Sequence, residues 1–319
     1  MAFSASGATY LVIEIILIVI VATSAILMRK VLTPFTRGFF KDDDSLMYPF
    51  KPSSVTNVWL YVVGFIGFGV VVVITEGVII RRQYQNSVKR DNARSLPMCW
   101  MENCYRVLSL FAFGAALTHL VTNIGKYSVG RLRPHFFAVC MPDWSRLNDT
   151  SGYILEDICT GPDKDLIKEA RVSFPSGHSS ISMYCGVFLF LYLLKRFTWK
   201  KIVVIRPLLQ LVGISLALYT CLTRISDYKH HWSDVIIGAM LGAGMAFFSM
   251  FWIHKILFAN GRVPETTDEE NYPHTYLDFR NDRRGTSDVF SQTLPDTFFL
   301  SVDVGSSSGM VVSSCSRSS

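Results

Sequence analysis

Six long apolar runs constrain this chain more than any other feature: Tyr10–Met28, Val58–Ile80, Tyr105–Ile124, Ile181–Leu194, Ile202–Leu222 and Val235–Phe258. Crossing a bilayer as a helix takes about 20 residues, and five of the runs approach or exceed that length. The fourth is short by strict counting, and Ser179, Ser180 and Phe197 extend it. Half of the 319 residues are hydrophobic, only 18% are charged, and the mean hydropathy is +0.31. A soluble domain of this size carries more charge. Buried helices of a soluble bundle would also be shorter and more often interrupted by charge. The expected fold is all-α, a six-span transmembrane helical bundle over residues 1–258. Residues 259–319 are rich in Thr, Ser, Asp and Glu and read as a disordered, flexible cytoplasmic tail. The residues before Tyr10 carry no positive charge, and the first run exceeds a typical signal core, so it is expected to remain as a span.

The formal charge of +6 would suit nucleic acid if it were spread over one surface, but it is not. Basic residues cluster in Arg81–Arg94 and Lys195–Arg206, short loops of the kind that stay cytoplasmic. No nucleic-acid partner is expected, and the partners implied are membrane lipids. The first loop dissents, because Arg29, Lys30, Arg37, Lys41 and Lys51 place similar charge on the side assigned as outer. The third loop holds Asn148-Asp149-Thr150, an N-glycosylation sequon that fits the outer side. The same loop contains Cys140 and Cys159, and an oxidising outer compartment favours a disulfide between them. Neither a paired CxxC nor an HExxH is present, so no metal and no cofactor are expected.

Chemistry is concentrated in three stretches at the ends of these runs: KYSVGRLRP (Lys126–Pro134), PSGH (Pro175–His178) and TRISDYKHHWSD (Thr223–Asp234). A phosphate monoester carries nearly two negative charges near neutral pH, so a site for it needs cations that hold their protons. Arg133 and Arg224 meet that need and grip oxygens as a fork, while Lys126 adds a point charge. Taken alone, Lys126 or Arg131 reads more simply as an anchor facing headgroups. Pro175 and Gly177 suit a tight turn before a helix whose first N–H groups are unpaired, and Ser176 adds a hydroxyl. An ordinary helix cap by Ser176 or Ser179 explains the same residues. His230 and Asp234 are four apart and share a face if the sixth helix begins before them. The carboxylate would then fix one ring nitrogen and free the other for attack. His231 is three residues from Asp234, and spacing alone does not choose between the two rings.

Topology supports joining the three stretches. The first two share the third loop, and the last lies two crossings later, on the same side of the membrane.

Together these residues resemble the K-x6-RP, PSGH and SR-x5-H-x3-D signature of the type 2 phosphatidic acid phosphatase superfamily. KYSVGRLRPHF, CMPDW, GHSSISMYC and SDYKHHWSD are similar to its lipid phosphate phosphatase branch, over roughly Tyr10 to Phe258. Thr223 stands where the signature has Ser. The resemblance implies that Lys126, Arg133 and Arg224 bind phosphate, assisted by Ser176 and the Gly177 amide. It implies that His230 is the nucleophile that becomes phosphohistidine, that Asp234 orients it, and that His178 protonates the departing alcohol and then activates water. A neutral His230 and a protonated His178 give a bell-shaped pH–rate profile. The implied substrates are phosphatidate, lysophosphatidate, ceramide 1-phosphate and sphingosine 1-phosphate, hydrolysed without a metal. The implied setting is the plasma membrane, with the site facing outside or the lumen; such a chain is compatible with a homo-oligomer.

Three other readings fit these residues less well. An inactive relative acting as a membrane interaction protein would have lost reactive residues, and here all are present. A sugar-phosphate phosphatase of the same superfamily fits the flanking stretches less well. A transporter would rely on Glu14, Glu76 and His119 within spans, yet Glu14 and Glu76 fall towards the cytoplasmic ends and read as packing residues.

Overall fold

The computed structural model describes residues 5–87, 96–147, 152–197 and 204–253. The sequon at Asn148 and the tail expected over 259–319 lie outside them. Among the described residues every regular element is a helix, with two isolated β-bridges, Phe39–Ile154 and Pro142–Cys159, and no strand. The helices are α1 (Ala5–Val31), α2 (Asn57–Tyr61), α3 (Phe68–Ser87), α4 (Leu96–Val129), α5 (Phe136–Cys140), α6 (Lys164–Ala170), α7 (Gly177–Arg196), α8 (Ile205–Ser226) and α9 (Trp232–Phe247). A π turn, Val62–Gly67, joins α2 to α3.

Six helical segments are long and apolar enough to cross a membrane: Leu11–Val31, Asn57–Arg82, Leu96–Val129, Gly177–Arg196, Ile205–Ser226 and Trp232–Phe251. The chain is a multi-pass membrane protein with the expected number of spans. The short fourth run becomes a 20-residue helix because the PSGH turn caps it: Ser176 is its N-cap, accepting from the Ser179 amide. The third span is longer than its apolar run. Glu102 and Arg106 pair at i,i+4 (2.5 Å) and let the helix continue past the apolar part. At its other end α4 runs on through Lys126. Lys126 therefore sits in the last turn of a span and not in the third loop, a position where a cation complements the helix dipole.

α7 is the most buried of the spans and packs against α4, α8 and α9. Its aromatic residues build the core with α3 and α4. Phe68 stacks on Phe111 with centroids 4.1 Å apart, Phe188 meets both edge-on, and the Tyr184 hydroxyl donates to the Phe111 carbonyl (2.9 Å). α9 approaches α7 at glycines: a Cβ on Gly242 would lie 2.0 Å from the Ser180 carbonyl oxygen, and one on Gly238 2.6 Å from that of Ser176. Small residues allow such close backbone contact between membrane helices. Glu14 and Glu76 are packing residues. Tyr105 donates to Glu14 (2.8 Å), while Glu76 is buried against Arg196 and accepts from Tyr192 (3.0 Å).

Above one end of the bundle lies a second, smaller core of Phe39, Leu46, Leu132, Phe136, Ile154, Ile158 and Ile167. Cys140 and Cys159 are bonded there, with Cα atoms 4.6 Å apart. Two of the dissenting charges of the first loop lie over aromatic rings at this end of the bundle. Lys41 lies over the Trp144 ring (5.5 Å) and Lys51 over Tyr228 (4.4 Å).

Candidate active site

The three stretches meet at the end of the bundle beneath the smaller core, where backbone hydrogen bonds tie them together. The Ser173 amide donates to the Arg131 carbonyl (2.8 Å), the Arg133 amide to Ala170 (2.8 Å), and the Ser176 amide to Asp234 (3.0 Å). The KYSVGRLRP and PSGH stretches are thereby fixed to one another and to the start of α9.

Arg133 is buried, and its guanidinium pairs with Glu169 on α6 (3.1 Å) while its Nε has no partner among the described residues. The neighbouring Arg133 charge holds the Glu169 carboxyl below its usual range. Arg224 is almost wholly buried in the last turn of α8 and reaches Asp227 (3.2 Å). Asp227 also accepts from the Ser54 amide (2.8 Å) and hydroxyl (2.7 Å), so the first loop helps to orient this arginine. Lys126 lies beside the PSGH turn: a Cβ at Gly177 would sit 3.5 Å from its ammonium. A side chain there would narrow the space next to the cation. Lys126 and Arg133 also line a cavity of ≈ 220 Å³ shared with Arg29, Lys168 and Glu169. Ser176 is fully buried as the cap of α7, and its Oγ also accepts from the Ser179 hydroxyl (2.9 Å). The Nε2 atom of His178, two residues on, is buried without a partner among the described residues.

His230 is delivered by an irregular turn. After α8, Tyr228 adopts φ 53, and the amides of Lys229 and His230 both donate to the Arg224 carbonyl (3.1 and 3.2 Å). A left-handed non-glycine residue persists only where its surroundings hold it. Tyr228 stacks on Tyr48 (4.7 Å), lies under Lys51, and its carbonyl bonds His135 Nδ1 (2.7 Å). The His230 ring faces the Ser173 carbonyl through Nδ1 (2.8 Å). A carbonyl only accepts, so Nδ1 carries the hydrogen and Nε2 keeps its lone pair. Burial, reinforced by the charges of Arg133 and Lys126, holds the His230 pKa well below the usual imidazole value. The ring is therefore neutral near neutral pH.

Two expectations need correction. α9 begins at Trp232, after His230, so His230 and Asp234 do not share a helical face. Asp234 instead reaches His230 through Ser173, whose hydroxyl donates to Asp234 Oδ2 (2.6 Å) and lies 3.3 Å from His230 Nδ1. The ring that touches Asp234 directly is His231, the N-cap of α9, with Nδ1 3.3 Å from Oδ2. Arg131, read as a headgroup anchor, pairs with Asp234 Oδ1 (2.6 Å). Ser173, Glu169 and Asp227 were not singled out from the sequence. Only Asp227 left a signal, a carboxylate three residues after Arg224, at the C-cap of α8.

Such a pocket can bind a phosphoryl group on three cations, present an imidazole lone pair to it, and place a second imidazole near the departing oxygen. Comparisons with known proteins agree. The PAP2 superfamily model matches residues 107–258. Phospholipid phosphatase 2 of Mus musculus is 37% identical over 267 residues, 83% of this chain and 92% of the relative. Phospholipid phosphatase 1 of the same species is 36% identical, covering 86% of this chain and 94% of its own. A Drosophila melanogaster protein reaches 46% identity over 66% of this chain and 59% of its own length. No solved structure gave a significant match. With three signature stretches gathered at one end of a six-span bundle, and two phospholipid phosphatases matched over more than nine-tenths of their length, the chain belongs to the phospholipid phosphatase family of the PAP2 superfamily.

Proposed function

We propose that this enzyme hydrolyses phosphatidate and related lipid phosphate monoesters (lysophosphatidate, sphingosine 1-phosphate and ceramide 1-phosphate) through a phosphohistidine on His230, without a metal. The observation that carries the reading is the Ser173 carbonyl on His230 Nδ1, which leaves a neutral Nε2 as nucleophile among Lys126, Arg133 and Arg224. These cations bind the phosphate oxygens, with the Ser176 hydroxyl and Gly177 amide at the α7 N-terminus. The Nε2 lone pair attacks phosphorus, the P–O ester bond breaks, and His178 protonates the departing alcohol. His178 then takes a proton from water, which attacks phosphorus, releasing inorganic phosphate and returning the lone pair to His230.

The names of the relatives support a phospholipid substrate. The Cys140–Cys159 disulfide beside the site supports a face turned to the outside or the lumen, where thiols are oxidised. The plasma membrane is the proposed location, with the tail in the cytoplasm.

The test is phosphate release from phosphatidate in detergent micelles containing EDTA. Wild type should release phosphate, and His230→Ala should lower kcat by about 10³-fold or more, as expected for loss of a covalent nucleophile. Release that survives the substitution would transfer the role to another residue, with His231 tested next.

A further inference from the structure

We propose that Ser173 is the positioning residue of this reaction, and that Asp234 acts on His230 only through it. The inference rests on the reading of His230 as nucleophile. Both oxygens of Asp234 are occupied by other groups: Oδ1 by Arg131 (2.6 Å), and Oδ2 by the His231 amide (3.1 Å), the His231 ring (3.3 Å) and the Ser173 hydroxyl (2.6 Å). The route from the carboxylate to His230 therefore runs across the Ser173 side chain, whose oxygen is 3.3 Å from Nδ1.

Ser173 is suited to this work because it is itself immobile. It is fully buried, and its amide is fixed by the Arg131 carbonyl (2.8 Å). Three residues later the Ser176 amide is held by the Asp234 carbonyl (3.0 Å). The segment is thus clamped between the stretch after α4 and the first turn of α9, and its own carbonyl can point only at Nδ1. The hydroxyl adds an acceptor: having donated its hydrogen to Asp234, its oxygen is free to share the Nδ1 hydrogen with the carbonyl.

The arrangement matters when charge develops. As Nε2 bonds to phosphorus and the ester P–O bond breaks, the ring becomes cationic and keeps its Nδ1 hydrogen. Two oxygens of one residue then face that N–H, one polarised by a carboxylate that Arg131 holds in place. No proton passes to Asp234. Its negative charge favours the cationic ring through the polarised hydroxyl, an effect larger in the transition state than in the resting enzyme.

A double-mutant cycle of Ser173→Ala and Asp234→Asn tests the idea, with kcat, KM and the alkali-stable phosphoenzyme trapped from 32P-labelled phosphatidate as readouts. Ser173→Ala should lower kcat and phosphoenzyme formation about 10- to 100-fold, the scale of a small misplacement of a reacting group, with KM nearly unchanged. Asp234→Asn should lower both in the Ser173 background and add nothing in the Ser173→Ala background. Additive effects, or a KM change in place of a kcat change, would overturn the proposal. If Asp234→Asn loses inhibition by inorganic phosphate, and so its fold, Arg131→Gln replaces it in the cycle with the same expectation of non-additivity. Wild type that turns over but yields no phosphoenzyme would overturn the nucleophile reading and this inference with it; a trapped phosphoenzyme with an additive cycle would overturn this inference alone.

Discussion

At the scale of single residues, the candidate site holds one imidazole neutral among cations. Burial, Arg133 and Lys126 all oppose protonation of His230 while the pocket is empty. A bound phosphate near two negative charges cancels part of that field and favours the imidazolium, so the His230 pKa rises on binding. On the proposed mechanism attack needs the unprotonated ring, so activity is lost as pH falls through this pKa. The acid limb of kcat should lie about one pH unit or more above that of kcat/KM, the latter corrected for the second ionisation of the free substrate. Initial rates over pH about 4–9 measure both limbs, and coincident limbs would contradict the account. The site residues named from the sequence (Lys126, Arg133, Ser176, Gly177, His178, Arg224, His230 and Asp234) were legible because each belongs to a short motif with fixed spacing. Ser173 was not, since its decisive contact is made by a main-chain carbonyl, which every residue possesses and no pattern marks. Arg131 was misread for a related reason: its partner, Asp234, lies 103 positions away in sequence.

Among the helices, the contact between α7 and α9 matters most, because α7 carries Ser176, Gly177 and His178 while α9 begins just after His230. Their separation is set at Gly238 and Gly242, where a methyl group would collide with the backbone of α7. Gly242→Ala should cost about 1–3 kcal/mol as an overpacking substitution and lower the thermal midpoint of the detergent-solubilised protein. Gly244, one position beyond Ala243, has nothing within 4 Å of such a methyl, so Gly244→Ala should leave the midpoint unchanged or raise it slightly. Equal effects at the two positions would mean that the packing does not depend on this approach. Six spans were readable from apolar runs alone, but their ends were not. α4 has 34 residues, about 51 Å of helix against about 30 Å of hydrocarbon, and its polar extensions follow helical pairing, which an apolar count ignores. The shared face of His230 and Asp234 depended on a helix that begins before them, and α9 begins at Trp232, so the spacing of four carries no such meaning here.

For the molecule as a whole, the end that carries the candidate site is a bundle tip capped by a small separate core. The Cys140–Cys159 bond closes a loop of that core over a separation of 19 residues. Replacing both cysteines, by Cys140→Ala with Cys159→Ser, should cost about 3 kcal/mol and lower the temperature at which activity is lost. Reductant added to wild type should lower it likewise; a double variant as heat-resistant as wild type would make the bond dispensable. Three of the five basic residues that set the first loop apart have identified surroundings at this scale. Lys41 and Lys51 are engaged by aromatic rings of the cap and the His230 turn, and Arg29 lines the cavity beside Lys126 and Arg133. Charge counting treats every lysine as free to choose a side, whereas these are committed to partners.

The cations and histidines lie at the ends of spans rather than midway along them, where a lipid's polar head would meet them while its acyl chains stay among their neighbours. An enzyme built this way does not sample its substrate from solution. It samples a two-dimensional sheet, so the concentration that governs turnover is the mole fraction of phosphorylated lipid in that leaflet, and diluting the sheet with inert lipid slows the enzyme even when the amount of substrate in the tube is unchanged.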